Sequence, residues 1–194
     1  MIYLVRHGQT RQNRAGLLQG RSDFPLNEQG EEQARRVGAY FREQGVRFDA
    51  VYSSPLQRAR QTAALIAGDK DPVLVDERLI EMDYGPYEGM DLREPAPEVL
   101  AFFRDFVNVP APAGMEPLAA VTARLGEFLE QLRPEAEGKT ILISTHAIAL
   151  KGALEYLTPE SRGGYWSRNI GNCAVFQTEL RDGVFTVPTE LDLL

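Results

Sequence analysis

The chain has 194 residues and a formal net charge of −7, with 21 Lys and Arg against 28 Asp and Glu. This length suffices for one domain with a buried core, and 43% hydrophobic and 25% charged residues are ordinary for a globular protein. The acidic balance argues against general nucleic-acid binding, which needs many basic side chains to neutralise phosphates. The single cysteine, Cys173, excludes an intrachain disulfide and a thiolate metal cluster.

The apolar runs of the sequence give no sign of a secretory or membrane protein. Arg6 and His7 interrupt the first apolar stretch, which a signal peptide would need to keep intact. No apolar run approaches the roughly 20 residues of a membrane-spanning helix. We therefore expect a cytoplasmic protein without membrane association, and the sequence leaves its oligomeric state open.

Predicted strands alternate with predicted helices along most of the chain. Short apolar runs bounded by polar residues or proline predict strands, and apolar residues at helical spacing predict helices. In chain order these are a strand at residues 2–5, a helix at 28–44, a strand at 50–53, a helix at 56–67, a strand at 72–75, a helix from 118 that closes at Pro134 and Gly138, a strand at 140–144 and a helix at 147–157. This alternation predicts a three-layer α/β/α sandwich with a mostly parallel central sheet.

One stretch interrupts the alternation. Residues 84–117 are rich in proline and glycine, which predicts a loop-rich, cap-like insertion around one short helix near 97–107. Phe102, Phe103 and Phe106 in this stretch fit the buried face of the short helix better than the apolar wall of a pocket.

The C-terminal segment predicts an antiparallel β-hairpin. Residues 174–178 and 184–188 are two apolar runs around Asp182-Gly183, a dipeptide typical of tight hairpin turns. We expect this hairpin at one edge of the sheet, and we expect residues 1–194 to form a single domain.

The two histidines of the chain each follow a predicted strand. His7 comes just after the strand at residues 2–5, and His146 comes just after the strand at 140–144. In open α/β sheets, ligands bind at the carboxyl ends of the strands. Imidazole has an unperturbed pKa near neutrality, so it serves as nucleophile, base or cation at working pH. This placement predicts an enzyme.

The segment around His7 has the chemistry of an anion site. Gly8 allows a sharp turn and the close approach of a ligand, and Arg6 offers a planar donor fork suited to phosphate. A neutral ring nitrogen of His7 can attack an electrophile, and Asn13 follows with a further hydrogen-bonding group. Residues 1–22 contain four arginines and no acid, which predicts an anion-receiving mouth, with chance scatter over the surface as the alternative.

Two later segments carry further candidates. Arg58 lies at the start of the predicted helix at 56–67, where a cation opposes the helix dipole unless an anion lies between them. Glu81 precedes the insertion, and a carboxyl group above the strand ends can protonate a leaving oxygen and then deprotonate water. Asp83 and Glu88 are interpreted as structural or solvated residues.

These motifs resemble the histidine phosphatase superfamily, the phosphoglycerate mutase-like group. The matching segments, in the family's order, are Leu4 to Thr10 with Asn13, Arg58 within residues 54–62, Glu81 with Gly85 and Glu88-Gly89, and Thr145-His146. The resemblance implies a phosphohistidine on His7 and proton transfer by Glu81. It also implies that the phosphoryl group is held by Arg6, Asn13, Gln19, Gly20, Arg58 and His146. Two arginines and a protonated His146 would supply the positive charge, so the reaction needs no metal ion and no other cofactor.

The sequence departs from the family's pattern around the expected pocket. The departures are Ala147-Ile148 in place of Gly-Gly, Met115-Glu116-Pro117 in place of Gly-Glu-Ser, Tyr87 in place of tryptophan and Lys151 in place of arginine. They leave the natural substrate open among a ribazole phosphate, a sugar phosphate, phosphoglycerate and a broader range of esters.

The resemblance favours hydrolysis of a small phosphomonoester over three alternatives. A phosphoglycerate mutase-type transfer must keep water from the intermediate, and the family's mutases generally carry longer insertions than residues 84–117. A phosphate-binding module without catalysis would have no use for Glu81. A metal site built on the two histidines would lack the usual close spacing, and the neighbouring arginines would repel the ion.

Overall fold

The structure, a computed structural model, describes residues 1–68 and 72–193. Its strands, in chain order, are β1 (Ile2–Arg6), β2 (Ala50–Ser53), β3 (Val73–Val75), β4 (Ile141–Thr145), β5 (Val175–Thr178), β6 (Leu180–Arg181), β7 (Val184–Phe185) and β8 (Thr189–Leu191). Six of them form a sheet in the order β3-β2-β4-β1-β5-β8. The pairs among β1 to β4 are parallel, and β5 runs antiparallel to both β1 and β8. The prediction of a mostly parallel sheet is confirmed.

Helices cover both faces of this sheet. They are α1 (Arg11–Ala15), α2 (Glu28–Glu43), α3 (Gln57–Ala67), α4 (Pro97–Arg104), α5 (Leu118–Ala136) and α6 (Ala147–Leu157). Alternate residues of β1 point to opposite faces. Ile2 and Leu4 pack into one core with α5 and α6, while Tyr3 and Val5 pack into a second core with α2 and α3. The predicted three-layer α/β/α sandwich is therefore confirmed.

The long helix α5 includes Pro134, one of the two residues that were predicted to close it. It continues from Leu118 through Pro134 to Ala136. An interior proline costs about 3 kcal/mol, because it removes one helical hydrogen bond and crowds the preceding turn. Leu132 and Ala136, on either side of Pro134, are both buried in the core, and this packing offsets the cost. The helix thus ends between Pro134 and Gly138, the two residues that were predicted to close it.

The C-terminal hairpin also differs from its prediction. Asp182-Gly183 forms the expected turn, with positive φ at both residues, but it joins only the two-residue strands β6 and β7. The partner of β5 is β8, which begins just after Pro188 rather than before it. Proline lacks the N–H that a ladder needs, so pairing resumes beyond it.

The insertion at residues 84–117 is mostly irregular and contains the single short helix α4. This helix ends at Arg104, three residues before the predicted boundary of 107. Phe102 is fully buried, as the buried-face interpretation predicts, whereas Phe103 and Phe106 are only partly buried. The insertion is tied to the loop after α1 by backbone hydrogen bonds between Leu18 and both Gly89 and Met90.

Within the described ranges, 1–68 and 72–193, no helix is both long and apolar enough to cross a bilayer.

Candidate functional site

His7 and His146 lie side by side at the carboxyl end of the sheet. β1 and β4 are neighbours, and their register pairs Arg6 with Thr145, the residues that precede the two histidines. The His7 N–H donates to the Thr145 carbonyl over 2.9 Å. The two imidazole rings meet edge to face with their centroids 5.1 Å apart. The fold therefore brings both sequence-predicted histidines into one site.

The His7 ring is held as a neutral imidazole with one free nitrogen. Its Nδ1 lies 2.7 Å from the Gly8 carbonyl oxygen. A carbonyl can only accept, so Nδ1 carries the proton and Nε2 keeps its lone pair. Burial, followed by the charges of Arg58 and Arg6, holds the pKa of His7 well below its ordinary value. This is the form in which a histidine attacks an electrophile.

His146 is also neutral, contrary to the sequence-based expectation of an imidazolium. Arg58 Nε donates to His146 Nδ1 over 3.2 Å, so Nδ1 is unprotonated. The ring proton is then on Nε2, which lies 2.7 Å from Ser54 Oγ. Burial, together with the charge of Arg58, holds the pKa of His146 well below its ordinary value. The expectation of a charged ring is therefore wrong, because burial and the charge of Arg58 both disfavour the imidazolium.

Arg58 is a fully buried cation. Its Nη1 and Nη2 donate to the carbonyl oxygens of Ser22 and Gly20 over 2.7 and 2.6 Å. Burial lowers the pKa of Arg58 to about 10, so the guanidinium stays charged at neutral pH. No ion pair within residues 1–68 and 72–193 includes it. Because an unpaired buried charge is costly, this position favours an anionic ligand.

Glu88 anchors the loop that holds Arg58. Its carboxylate accepts from the N–H of Gly20 over 2.9 Å and from both the N–H and the hydroxyl of Ser22. A Cβ at Gly20 would lie 2.7 Å from the Met82 carbonyl oxygen, so this close approach requires glycine. The interpretation of Glu88 as structural agrees with this geometry. Both backbone polar groups of Gly20 are engaged within the protein, and its contact with a phosphoryl group stays a prediction.

Arg6 supplies the second guanidinium. Its Nη1 donates to the Ile170 carbonyl over 2.5 Å, and its Nε is buried without a hydrogen-bond partner. Burial lowers the pKa of Arg6, and the charge of Glu81 partly offsets that effect. A buried donor without a partner costs free energy unless a ligand satisfies it. Arg6 therefore has donor capacity left for an anion.

Glu81 is fixed at the N-terminus of α6, directly beside His146. It is 3% exposed, and its Oε1 accepts from the N–H groups of Met82 and Ala149 over 2.9 and 3.0 Å. Its Oε2 accepts from the Ile148 N–H over 3.2 Å. The three N–H donors fix the position of the Glu81 carboxyl group. These contacts are made by the backbone, which explains how the site keeps its form without the family's glycine pair at 147–148.

Asn13 reaches the site through Asn172. Asn172 Nδ2 donates to the His7 carbonyl over 3.0 Å and lies 3.3 Å from Asn13 Oδ1. Asn13 also forms a capping box with Thr10 at the start of α1. Gln19 accepts from the Thr10 hydroxyl over 2.7 Å, and its Nε2 is buried without a partner. Both predicted phosphate ligands thus lie in the network behind His7, and their direct contact with a substrate stays a prediction.

The four arginines of the basic N-terminal segment do not form one mouth. Arg6 enters the site, whereas Arg21 forms ion pairs with Asp83 and Glu116. The other two, Arg11 and Arg14, line an open cleft of about 1090 Å³ beside α1, to which neither histidine contributes. The four arginines thus lie in different surroundings and do not form the single basic mouth that was expected.

Three residues of the site were not assigned a role from the sequence. Ser54 faces His146, Asn172 holds the turn at His7, and Thr62 accepts the Gly8 N–H over 3.0 Å. Ser54 and Thr62 lie in the same segment as Arg58. Thr62 follows Arg58 by four residues on α3, so helical spacing would have placed it beside Arg58. Asn172 lies far from the other motifs along the chain, and no spacing rule predicts it.

No group of three or more His, Cys, Asp and Glu side chains in the described part of the chain could hold a metal ion. The charges that surround His7 are instead those of Arg6 and Arg58. Fixed positive charge and precise positioning are what phosphoryl transfer requires from a protein. The molecule therefore belongs to the class of α/β sandwiches with an anion site at the ends of the strands, and the charges of this site suit phosphoryl transfer.

Comparisons with known proteins identify the family. A model of the histidine phosphatase superfamily (branch 1) matches residues 2–190. Phosphoserine phosphatase 1 of Hydrogenobacter thermophilus is 31% identical over 177 residues, covering 89% of this chain and 83% of that protein. A 2,3-bisphosphoglycerate-dependent phosphoglycerate mutase of Parvibaculum lavamentivorans is 31% identical over 192 residues, covering 94% and 91%. The structure of a phosphoserine phosphatase mutant from Entamoeba histolytica in complex with phosphoserine has a TM-score of 0.84 at 29% identity, covering 99% and 96%.

The chain therefore belongs to the histidine phosphatase superfamily, whose members similar to it include both phosphatases and phosphoglycerate mutases.

Proposed function

We propose that this protein hydrolyses small phosphomonoesters through a phosphohistidine on His7, with Glu81 as general acid and base. The observation that carries the proposal is the neutral His7 ring. Its Nδ1–H donates a hydrogen bond to the Gly8 carbonyl, so Nε2 is free. The phosphatases among the relatives support hydrolysis, and the bound phosphoserine in one similar structure supports a small ester as substrate.

In the first half-reaction, His7 Nε2 attacks the phosphorus atom and the bond to the ester oxygen breaks. Glu81 in its protonated form gives its proton to the departing oxygen, and the alcohol leaves. The ring gains positive charge when Nε2 is phosphorylated, and the Nδ1 hydrogen bond to Gly8 stabilises it. Arg6 and Arg58 hold the phosphoryl oxygens, and His146 Nε2 turns from Ser54 to donate to them.

In the second half-reaction, water attacks the phosphorus atom from the side that the alcohol has left. The Glu81 carboxylate takes a proton from this water, and the bond between Nε2 and phosphorus breaks. Inorganic phosphate leaves, and both His7 and Glu81 return to their starting forms. No metal ion or other cofactor takes part in this scheme.

Mutase activity is the second candidate, because one mutase relative matches 94% of the chain at 31% identity. In a mutase the phosphohistidine returns its phosphoryl group to the substrate rather than to water. We propose that residues 84–117 cap the site within a single domain. A cap whose only α-helix is the eight-residue α4 gives little shelter from water, which favours hydrolysis.

The experiment is an assay of phosphate release from 4-nitrophenyl phosphate and from 3-phosphoglycerate, with and without a chelator. We expect release from both, no effect of the chelator, no 2-phosphoglycerate, and complete loss of activity in His7→Ala. Arg60→Ala serves as the surface control and should keep the wild-type activity, since Arg60 is exposed on α3. Turnover by His7→Ala at the wild-type rate would contradict the proposal, and accumulation of 2-phosphoglycerate would favour the mutase.

A further inference from the structure

Lys151 is a buried cation that the proposed reaction does not use. It lies on α6 and is 8% exposed. Its Nζ donates to the Trp166 carbonyl over 2.8 Å and lies 5.0 Å from the centre of the Phe106 ring. No ion pair among the described residues includes it. An ammonium has three donors, and a buried one without a carboxylate is costly unless an anion completes its surroundings.

An aromatic wall, formed by Tyr84, Phe103 and Phe106, joins this ammonium to the phosphoryl end of the site. The ring centroids of Phe106 and Phe103 are 5.6 Å apart, and those of Phe103 and Tyr84 are 6.2 Å apart. Tyr84 packs closely on Gly20, where an added Cβ would lie 2.7 Å from the ring. The carbonyl of Gly20 in turn accepts from Arg58. The wall thus has one buried cation at each end.

The backbone connects the same two regions. Lys151 follows His146 by five residues on α6, which is about 7.5 Å along a helix axis. The segment after α6 accepts from Lys151 at the Trp166 carbonyl and from Arg6 at the Ile170 carbonyl, only four residues later. We expect the carbon skeleton of an ester bound at His7 to extend from the guanidinium groups towards the Lys151 ammonium.

We propose that Lys151 selects phosphomonoesters that carry a carboxylate close to the ester carbon, by binding that carboxylate. The inference rests on the proposed function, because it assigns the far end of the substrate whose phosphoryl group His7 receives. Arg21 is engaged by Asp83 and Glu116 and does not compete for this role. In this assignment Phe103 and Phe106, the two partly exposed rings of the aromatic wall, contact the carbon atoms between the two anionic groups.

The test compares substrates that differ in the carboxylate, namely O-phosphoserine against O-phosphoethanolamine and 3-phosphoglycerate against glycerol 3-phosphate. We expect Lys151→Met to lower kcat/KM about 10- to 100-fold for the two carboxylates, as loss of a charge-assisted hydrogen bond implies. For the two esters without a carboxylate, kcat/KM should change by no more than about twofold. Lys151→Arg should restore part of the selectivity, because it keeps the charge.

Lys139→Met is the matched control, since Lys139 is exposed, and it should leave all four substrates unaffected. An equal loss on both kinds of substrate in Lys151→Met would show a structural role and overturn the inference, as would no loss at all. Calorimetric binding of O-phosphoserine and O-phosphoethanolamine to wild type and Lys151→Met separates this inference from the proposed function. If wild type turns over none of the esters, the proposed function fails, while a carboxylate-specific loss of binding in Lys151→Met still supports the assignment of Lys151.

Discussion

The two histidines of the site hold their protons on different nitrogens. His7 donates a hydrogen bond from Nδ1–H to a carbonyl and has a free Nε2. His146 accepts a hydrogen bond from Arg58 at Nδ1 and carries its proton on Nε2. In a neutral imidazole ring Nε2 is either an acceptor or a donor, and the contact of Nδ1 decides which. Neighbouring residues thus make one histidine a nucleophile and the other a donor, although both are buried and uncharged.

At the residue scale, Glu81→Gln separates proton transfer from positioning. Glutamine keeps one of the two oxygens that accept from the backbone of α6 but cannot exchange a proton, so we expect kcat/KM for an alkyl phosphate to fall about 10²- to 10⁴-fold. The loss for 4-nitrophenyl phosphate should be much smaller, because nitrophenolate leaves without protonation. Steady-state assays of both substrates measure the difference, with the exposed Glu94→Gln as control. Equal losses of kcat/KM on the two substrates would show that Glu81 is not the general acid.

At the scale of elements, the site depends on the close packing of α2 against the turn after β1. Gly30, in the first turn of α2, is buried, and a Cβ there would collide with the backbone of Gln9. A Cβ at Gly8 would in the same way collide with the Gly30 carbonyl. Two glycines therefore let a helix touch the segment that carries His7, and this contact holds the nucleophile in place.

We expect Gly30→Ala to lower the free energy of unfolding by about 1–3 kcal/mol, the usual cost of forcing an atom into a packed interior. It should also reduce activity, because the displaced turn carries His7. Denaturant unfolding measures the first effect and steady-state kinetics the second. Gly171→Ala is the control, since a Cβ there has no atom within 4 Å. If Gly30→Ala matched Gly171→Ala in both measurements, the close packing would have no energetic weight.

Sequence patterns predicted the regular elements better than the irregular ones, for physical reasons. The boundaries of β2 and α6 are those predicted, because each has a clear apolar pattern and a sharp polar or proline boundary. The five-residue α1 was missed, since its stability comes from the capping box at Thr10 rather than from an apolar face. The last turn of α5 depends on burial in the core, which no local pattern shows.

At the scale of the whole molecule, the site is a product of the parallel sheet. Arg58 and His146 are hydrogen-bonded across 88 positions of sequence, and Asn172 reaches His7 across 165. The resemblance to the family implied that Arg58 and His146 would meet at one phosphoryl group. The sequence motifs could not predict which nitrogen of His146 carries the proton, because that depends on the Arg58 guanidinium, which the fold places against the ring.

Burial of both histidines should make the stability of the whole molecule depend on pH. Their folded-state pKa values lie well below the unfolded value of about 6.5, so the unfolded chain binds more protons as the pH falls below that value. The free energy of unfolding should therefore decrease from pH 7 to 5, by up to about 1.4 kcal/mol per pH unit for each histidine. Urea unfolding over this range measures the slope.

The variant His7→Asn should show a slope smaller by the contribution of one histidine, while carboxylates contribute equally to both proteins. An unchanged slope in His7→Asn would mean that this ring is charged in the folded state.

The central claim, a phosphohistidine on His7, is tested most directly by trapping it in Glu81→Gln. An aryl phosphate should phosphorylate this variant without an acid, whereas hydrolysis of the intermediate needs the missing base. After quenching in alkali, we expect one phosphoryl group per chain, and mass spectrometry of the peptides should locate it on His7. A phosphoryl group on any other residue, or rapid turnover of the aryl ester with no phosphorylated protein, would contradict the account.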